Sequence, residues 1–293
     1  MSEIRLFIIA RGRTGGTLMA TMLNAHSQLS MAYEMYPDLL VTPSGEGFKT
    51  SDLMKRLKAA QHADKGTWAK ALERDKFRVF VARARRSGLE PNNLLSVLSQ
   101  FLDKELDTLD ERLDFIDALW HHQAQLDNKP FIGGKMRVEP VNLHKRHPNA
   151  VFLMMLRDGR DVLDSRLKVG NFSTTAAACA EDWMQSLSDF ENWLATSGAK
   201  GRLVKYEALV ADPESELLEI FKLANIPFEN AAINYLSANQ PLFQNAHGHL
   251  SANQISGGLS SASIGRWKNG LEDQDVKAFE AVAGETLRKH GYL

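Results

Sequence analysis

The chain has 293 residues, 44% of them hydrophobic and 24% charged, and 35 basic side chains nearly balance 36 acidic ones for a formal net charge of −1. That balance offers no excess positive charge for nucleic acid or an anionic membrane, so neither is an expected partner. No stretch approaches the roughly 20 apolar residues of a membrane helix. The N-terminus lacks a secretion pattern and the single Cys179 can form no internal disulfide, so a cytoplasmic protein is expected.

The first element begins as Ile4-Arg5-Leu6-Phe7-Ile8-Ile9, a short apolar run of the kind that fills a buried parallel strand. It turns through Gly12, Gly15 and Gly16 and continues as a helix from about Thr17 to Ala25. A strand that feeds a glycine-rich turn and a helix N-terminus makes an anion site. Backbone N–H groups converge there, the helix dipole adds positive charge, and glycines let an anion approach the main chain. Arg13, Thr14 and Thr17 add a cation and two hydroxyls, so the stretch reads as a cradle for a phosphate-like group. The alternative is a tight strand-to-helix turn with no ligand. A nucleotide-triphosphate P-loop fits poorly, because its pattern needs a lysine and none stands beside Thr17.

A turn and a short apolar segment follow, ending in Glu34, 21 residues after Arg13. A strand, turn, helix, turn, strand path can bring that carboxylate back to the cradle; the plainer reading is a surface carboxylate at a strand end. Residues 37–128 differ in texture, with apolar residues at helical spacing, as in Leu94, Leu95, Leu98, Phe101 and Leu102. They predict about four helices and little or no sheet, an insertion well placed to cover a pocket. Within it, Arg74 to Arg86 sets Phe77, Phe80, Val81 and Ala84 on one face. The arginines around them, Arg78, Arg83, Arg85 and Arg86, form a solvated face or a dock for an acidic acceptor. His121 and His122 lie in the last insertion helix, Leu109 to Leu126, and point about 100° apart, so at most one can face a site.

Phe131 to Met136 reads as a short buried strand carrying Lys135 near its end. Ala150 to Leu156 is apolar throughout, as a strand covered on both faces must be, and Arg157 arrives where it stops. Open α/β sheets keep their ligands at the carboxyl ends of such strands. From Arg160 a helix carries Ser165 one to two turns in, so Arg157 and Ser165 can flank a second anion with a planar guanidinium and a hydroxyl. Arg160 and Asp161 read as holding the loop together by ion pairing rather than touching substrate. Ser173 to Thr196 is a long helix with Trp183, Leu187, Phe190 and Leu194 at core spacing, and Gly201 to Leu209 is strand and turn. Asp212-Pro213 starts a further helix with an Asp cap and Pro at its first position. Residues 243–265 hold few apolar anchors and read as a mobile loop; their His247-Gly248-His249 has no further ligands at metal spacing. The last helix runs from Asp273 to His290.

Together these stretches resemble the sulfotransferases that use 3′-phosphoadenosine 5′-phosphosulfate (PAPS), over residues 4 to 34 and about 131 to 270. Gly12-Arg13-Thr14-Gly15-Gly16-Thr17-Leu18-Met19 is similar to the family's 5′-phosphosulfate loop, roughly Pro-Arg-Ser-Gly-Thr-Thr-Leu-Leu. Leu23-Asn24-Ala25-His26-Ser27 is similar to the Leu-Asp-Ala-His-Pro turn of the tyrosylprotein-like branch, departing at Asn24 and Ser27. Glu34 falls at the spacing of that branch's catalytic base. Lys135 matches the lysine of a Gly-x-Lys-Thr-Pro segment that helps hold the sulfate bridge in many bacterial members, although Met136-Arg137 replace Thr-Pro. Arg157 to Ser165 is similar to the 3′-phosphate motif Arg-Asp-x-Arg-Asp-Val-x-x-Ser. Tyr206 stands in a stretch resembling Tyr-Glu-Asp-Leu, in which the Tyr reaches the nucleotide. Gly265-Arg266-Trp267-Lys268-Asn269 resembles the Gly-x-Trp-Lys-Asn segment that closes over adenosine. The Arg-Lys-Gly triplet of cytosolic members is replaced by Ser260-Ser261-Ala262, so Arg266 or Lys268 is expected to supply the missing charge.

The resemblance implies one α/β domain over residues 1–293, P-loop-like and three-layered, with a central parallel sheet of four or five strands. Residues 37–128 become a helical substrate cap and 243–265 a mobile loop over the cofactor. The implied reaction moves a sulfuryl group from PAPS to a hydroxyl or amine of a small-molecule or peptide acceptor, with no metal. Glu34 is the expected base, with His121 and His122 as competitors, and Arg13 and Lys135 the expected charge stabilisers. The nucleotide is expected to meet Arg13, Thr14, Gly15, Gly16, Thr17, Leu18, Arg157, Ser165, Tyr206, Arg266, Trp267 and Lys268. The rival readings are a P-loop small-molecule kinase using ATP and Mg²⁺, and a nucleotide-binding protein without turnover.

Overall fold

The structure, a computed structural model, describes residues 2–60, 72–170, 175–245, 249 and 251–293. Five strands, β1 (Glu3–Ile9), β2 (Leu29–Ala32), β3 (Phe131–Met136), β4 (Val151–Leu156) and β5 (Lys200–Lys205), form one parallel sheet in the order β2-β3-β1-β4-β5. Helices lie on both faces, which is why β1 and β4 are apolar in and out. Phe7, Phe152 and Met154 point into one core, while Leu6, Ile8, Val151 and Leu153 point into another.

Helix α1 (Gly16–Asn24), which follows β1, buries Leu18, Met19 and Leu23 in the second core. The helix after β4 buries Val162 and Leu163 in the first. Neighbouring strands therefore send their connections to opposite faces, which opens a crevice beyond their carboxyl ends.

Between β2 and β3 the described residues hold four helices, α2 (Thr50–Ala60), α3 (Lys76–Arg86), α4 (Pro91–Leu98) and α5 (Leu109–Leu126), and no strand beyond two isolated bridges. Their Leu53, Phe77, Phe80, Leu94 and Phe115 share one core with Phe7 and Ile132 of the sheet. The contact is close because β3 carries Gly133-Gly134: a Cβ on Gly134 would stand 2.0 Å from the Trp120 ring. Truncating Trp120 to Ala removes a fully buried ring, a loss of roughly 3–5 kcal/mol.

The longer helices after β3 are α6 (Pro140–Arg146), α7 (Gly159–Val169), α8 (Ala176–Ser197), α9 (Tyr206–Ala211), α10 (Pro213–Ala224) and α11 (Asp273–Lys289), with single helical turns such as Trp267–Gly270 between them. Asp212 caps α10 by accepting the Ser215 N–H at 3.1 Å. In and beside 243–265 the chain forms short helical turns at Pro241–Gln244, Ala252–Ile255 and Ser261–Ser263, and Leu242 and Ile255 bury into the second core.

Candidate active site

The loop after β1 is shaped by its backbone. Gly15 stands at the N-cap of α1 with φ +96°, and a Cβ there would meet the Tyr206 ring at 2.5 Å, so only glycine fits. Arg13 itself has φ +79°, an uncommon conformation for a side-chain-bearing residue, held because both ends of the residue are engaged. Its carbonyl accepts from Arg157 Nη1 at 3.2 Å, and its guanidinium donates to Ser165 Oγ at 2.7 Å and Ser251 Oγ at 2.8 Å. Thr14, expected as a donor to the ligand, turns its hydroxyl inward to the Arg11 carbonyl at 2.9 Å and braces the loop.

Arg157 sits at the tip of β4, where Trp183 Nε1 donates to its carbonyl at 3.0 Å and the next residue's N–H donates to Glu207 at 3.0 Å. Its guanidinium donates to the Ser263 carbonyl, lies 4.9 Å from the Tyr206 ring centre, and has Asp161 at 3.8 Å. Its Nε is buried with no acceptor among the described residues. Burial and the neighbouring Arg266 lower its pKa against the pull of Asp161; burial, Arg157 and Arg266 lower that of Arg13.

One cavity is lined by Arg13, Gly15, Gly16, Thr17, Leu18, Lys135, Arg157 and Tyr206, with Ser251, Gln254, Ile255, Gly258, Ser260 and Ser263 closing it. The two expected anion sites are thus brought together, with Ser165 reached through Arg13. Arg266 pairs with Asp164, and its charge is felt at Arg13 and Arg157. Trp267 and Lys268 instead line an adjacent hollow with Arg160 and Tyr292, the Arg160 guanidinium 3.9 Å from the Trp267 ring centre. Both expected loop-holding residues are in ion pairs: Arg160 pairs with Asp158 and Glu280, and Asp161, 3.8 Å from Arg157, also accepts the N–H groups of Gly265 at 2.8 Å and Trp267 at 3.0 Å and so anchors that segment.

Glu34 does not itself line the cavity but stands behind Lys135, which does, and the turn before it is tied down. Asn24 Oδ1 accepts the Met31 N–H at 3.0 Å, and buried His26 accepts the Gln28 N–H on Nδ1, leaving Nε2 to donate to the Pro227 carbonyl at 2.7 Å. The Glu34 carboxylate meets Lys135 Nζ at 2.5 Å, and the same ammonium lies 3.2 Å from Thr17 Oγ1. Burial alone would raise the Glu34 carboxyl; Lys135 and then Arg83 reverse this and hold it well below the usual carboxylate range. Arg83 and Arg86 of α3, expected on a solvated face or at a dock for an acidic acceptor, lie close enough to couple electrostatically to Glu34, and Arg83 donates to its carbonyl at 3.0 Å.

The histidine competitors lie elsewhere. His121 is 3.1 Å from Ser2, at the far end of β1 from the loop and therefore roughly 20 Å away, and His122 faces Asn93. His249 is the histidine at the site: burial and the cations Arg86, Lys135 and Arg13, opposed by Glu34, push it down to about 4. His247 and Gly248 lie outside the described residues. Ser251 and Ser263 carried no sequence signal beyond a polar, serine-rich composition, and His249 stood out only through His247-Gly248-His249.

Comparison with known proteins agrees with this geometry. The family model described as "Sulfotransferase family" matches residues 5–230. A Drosophila melanogaster protein-tyrosine sulfotransferase is 25% identical over 236 residues, 78% of this chain and 40% of that protein. A Caenorhabditis elegans putative protein-tyrosine sulfotransferase is 24% identical over 154 residues, 50% of this chain and 54% of that protein. The chain therefore spans about half or less of the relatives it matches. Among solved structures, the sulfotransferase domain of the Synechococcus PCC 7002 olefin synthase superposes with a TM-score of 0.59 at 17% identity, covering 97% of this chain and 96% of that one. The sulfotransferase domain from the curacin biosynthetic pathway gives 0.57 at 16%, covering 96% and 97%. These two share the fold, and the family match over most of the chain places this protein in the sulfotransferase family.

Proposed function

We propose that the protein moves a sulfuryl group from PAPS to an acceptor hydroxyl or amine and releases 3′,5′-adenosine bisphosphate. The observation that carries this is that Arg13 and Arg157, 144 residues apart, line one cavity and hydrogen-bond there to neutral oxygens, with one buried guanidinium nitrogen of Arg157 left without a partner among the described residues. Such a site suits a ligand with two separated phosphate groups. PAPS, once bound, supplies the activated sulfuryl group and a phosphate leaving group. Thr17, the N–H groups of Gly15 and Gly16, and Lys135 face the 5′ end; Arg157, with Arg266 behind it, faces the 3′ end. Leu18, Ile255 and Tyr206 offer apolar surface to the adenosine.

Glu34 takes the acceptor proton, a role worth about 10²–10⁴-fold in rate. Lys135 and Arg13 offset charge that develops on the transferred group and the leaving oxygen. Since Arg83 and Arg86 face Glu34 from the insertion, the acceptor side of the site is cationic and favours a small molecule or peptide with a negative group nearby. Labelled PAPS offered with a panel of hydroxyl and amine acceptors tests the reading; transfer of label supports it. Tight binding of ATP with Mg²⁺ and phosphoryl transfer would replace it with the kinase.

A further inference from the structure

Lys135 touches both halves of the site. Its ammonium donates to Thr17 Oγ1 at 3.2 Å, on the first turn of α1, and to Glu34 Oε1 at 2.5 Å. An ammonium has three N–H donors, so one remains for a ligand, and the side chain lines the cavity. Its stem lies over the loop: a Cβ on Gly16 would stand 3.1 Å from Lys135 Cε.

Both partners have fixed backbones, Lys135 by its place in β3 opposite Ile8 of β1. Glu34 has φ +56°, a left-handed conformation, with Arg83 on its carbonyl at 3.0 Å and the preceding N–H of Tyr33 on Ser87 Oγ at 2.8 Å. Its backbone is fixed from two sides. Lys135 carries its charge on a flexible four-carbon stem and can swing it by changing rotamer. Around Glu34 stand Lys135 on β3, Arg83 and Arg86 on α3, Arg13 on the loop, Tyr36 beyond β2, and His249 on the closing segment. A carboxylate so stabilised is a poor acceptor for a hydroxyl proton.

We propose that Lys135 couples the two halves: it holds Glu34 unreactive in the nucleotide-free protein and, by swinging to an anion seated at Thr17 and the start of α1, frees Glu34 to take the acceptor's proton. The inference rests on the sulfuryl-transfer reading. In the transfer, a lone pair of the acceptor oxygen forms the new bond to sulfur and its proton passes to Glu34. The bond from sulfur to the bridging oxygen breaks, and its electron pair stays on the nucleotide's 5′-phosphate, which Lys135 now faces. Proton removal is therefore conditional on the nucleotide, and an acceptor bound alone meets a silenced base.

The test is a carbon-13 titration of the Glu34 carboxyl, assigned by its loss in Glu34→Gln, without and with saturating 3′,5′-adenosine bisphosphate. The expected result is a midpoint that rises by at least about one pH unit toward the ordinary glutamate value near 4.3 when the nucleotide binds. In Lys135→Met the midpoint is already raised, and the nucleotide adds little. An equal nucleotide-induced rise in both proteins would mean that the phosphate field acts directly, and it overturns the coupling. Should Lys135→Met fail to fold, crystals of the wild-type complex decide: the ammonium leaves the Glu34 carboxylate by more than about 4 Å, and a retained pair overturns the proposal. Calorimetry on the same samples separates the two failures. A nucleotide that does not bind sinks the functional reading and the coupling together, whereas one that binds without moving the midpoint sinks the coupling alone.

Discussion

The two flanks of the cavity differ in how their charges are met. On the loop flank, Arg13 and Arg157 hydrogen-bond to neutral oxygens, the hydroxyls of Ser165 and Ser251 and the carbonyls of Arg13 and Ser263, with the Asp161 carboxylate farther off at 3.8 Å from Arg157. On the Glu34 flank, a carboxylate already holds an ammonium at 2.5 Å and lies near Arg83. Charge-assisted hydrogen bonds are roughly twice as strong as neutral ones, so a phosphate replacing the hydroxyls strengthens the first flank. A carboxylate that loses its ammonium is weakened but becomes more basic. One flank is built to bind, and the other is held back until it reacts.

The comparison breaks most visibly at Glu34. Glu34→Gln is expected to lower kcat by about 10²–10⁴-fold, while nucleotide affinity, measured by calorimetry, tightens by about tenfold, because Lys135 then has no carboxylate to leave. On the binding flank, Arg157→Ala removes a charged donor and should weaken 3′,5′-adenosine bisphosphate by about 1.5–3 kcal/mol, roughly ten- to a hundred-and-fifty-fold in Kd. Gly15→Ala forces a side chain into φ +96° and against Tyr206, and is expected to cost about 1–3 kcal/mol of stability by denaturant unfolding, with weaker nucleotide binding. The smallest effect separates neutral from charged partners: Ser251→Ala leaves Arg13 one neutral contact fewer to surrender, and nucleotide binding should tighten by about threefold or less. A loss of affinity there would mean that Ser251 touches the nucleotide.

The electrostatics can be sharpened without mutation. The His249 pKa is lowered to about 4 in the folded protein, so the imidazole stays neutral at pH 7 and resists protonation on acidification. Stability from this group is fully present above the unfolded value near 6.5 and falls as pH drops toward about 4, because the unfolded chain binds the proton first. The His249 ring shifts, followed by NMR, should titrate near 4; a midpoint near 6.5 would remove it from the cationic cluster.

The two flanks also differed in how readable they were. The loop flank is written in short contiguous stretches. An apolar strand ends, glycines turn, and a helix begins at Gly16, and again an apolar strand ends at Arg157 with Ser165 on the next helix. Local periodicity finds both. The closing segment has no such pattern, because Ser251, Ser263 and Gly265 are placed by Arg13, Arg157 and Asp161, partners far away in sequence. Helical spacing correctly put Phe77, Phe80 and Val81 of α3 inside, yet it could not say what stands opposite the polar face, and so the approach of Arg83 and Arg86 to Glu34 was hidden. The choice between Arg266 and Lys268 was equally closed to the sequence; Arg266 acts electrostatically on both guanidiniums, and Lys268 lines the neighbouring hollow.

The central claim is that Arg13 and Arg157 serve opposite ends of one doubly phosphorylated nucleotide. Calorimetry of 3′,5′-adenosine bisphosphate against 5′-AMP, in the wild type and in Arg157→Ala, tests it most directly. The wild type should prefer the bisphosphate by about tenfold or more, and the variant should lose most of that preference while binding 5′-AMP almost unchanged. A variant that keeps the full preference, or a wild type that shows none, would contradict it.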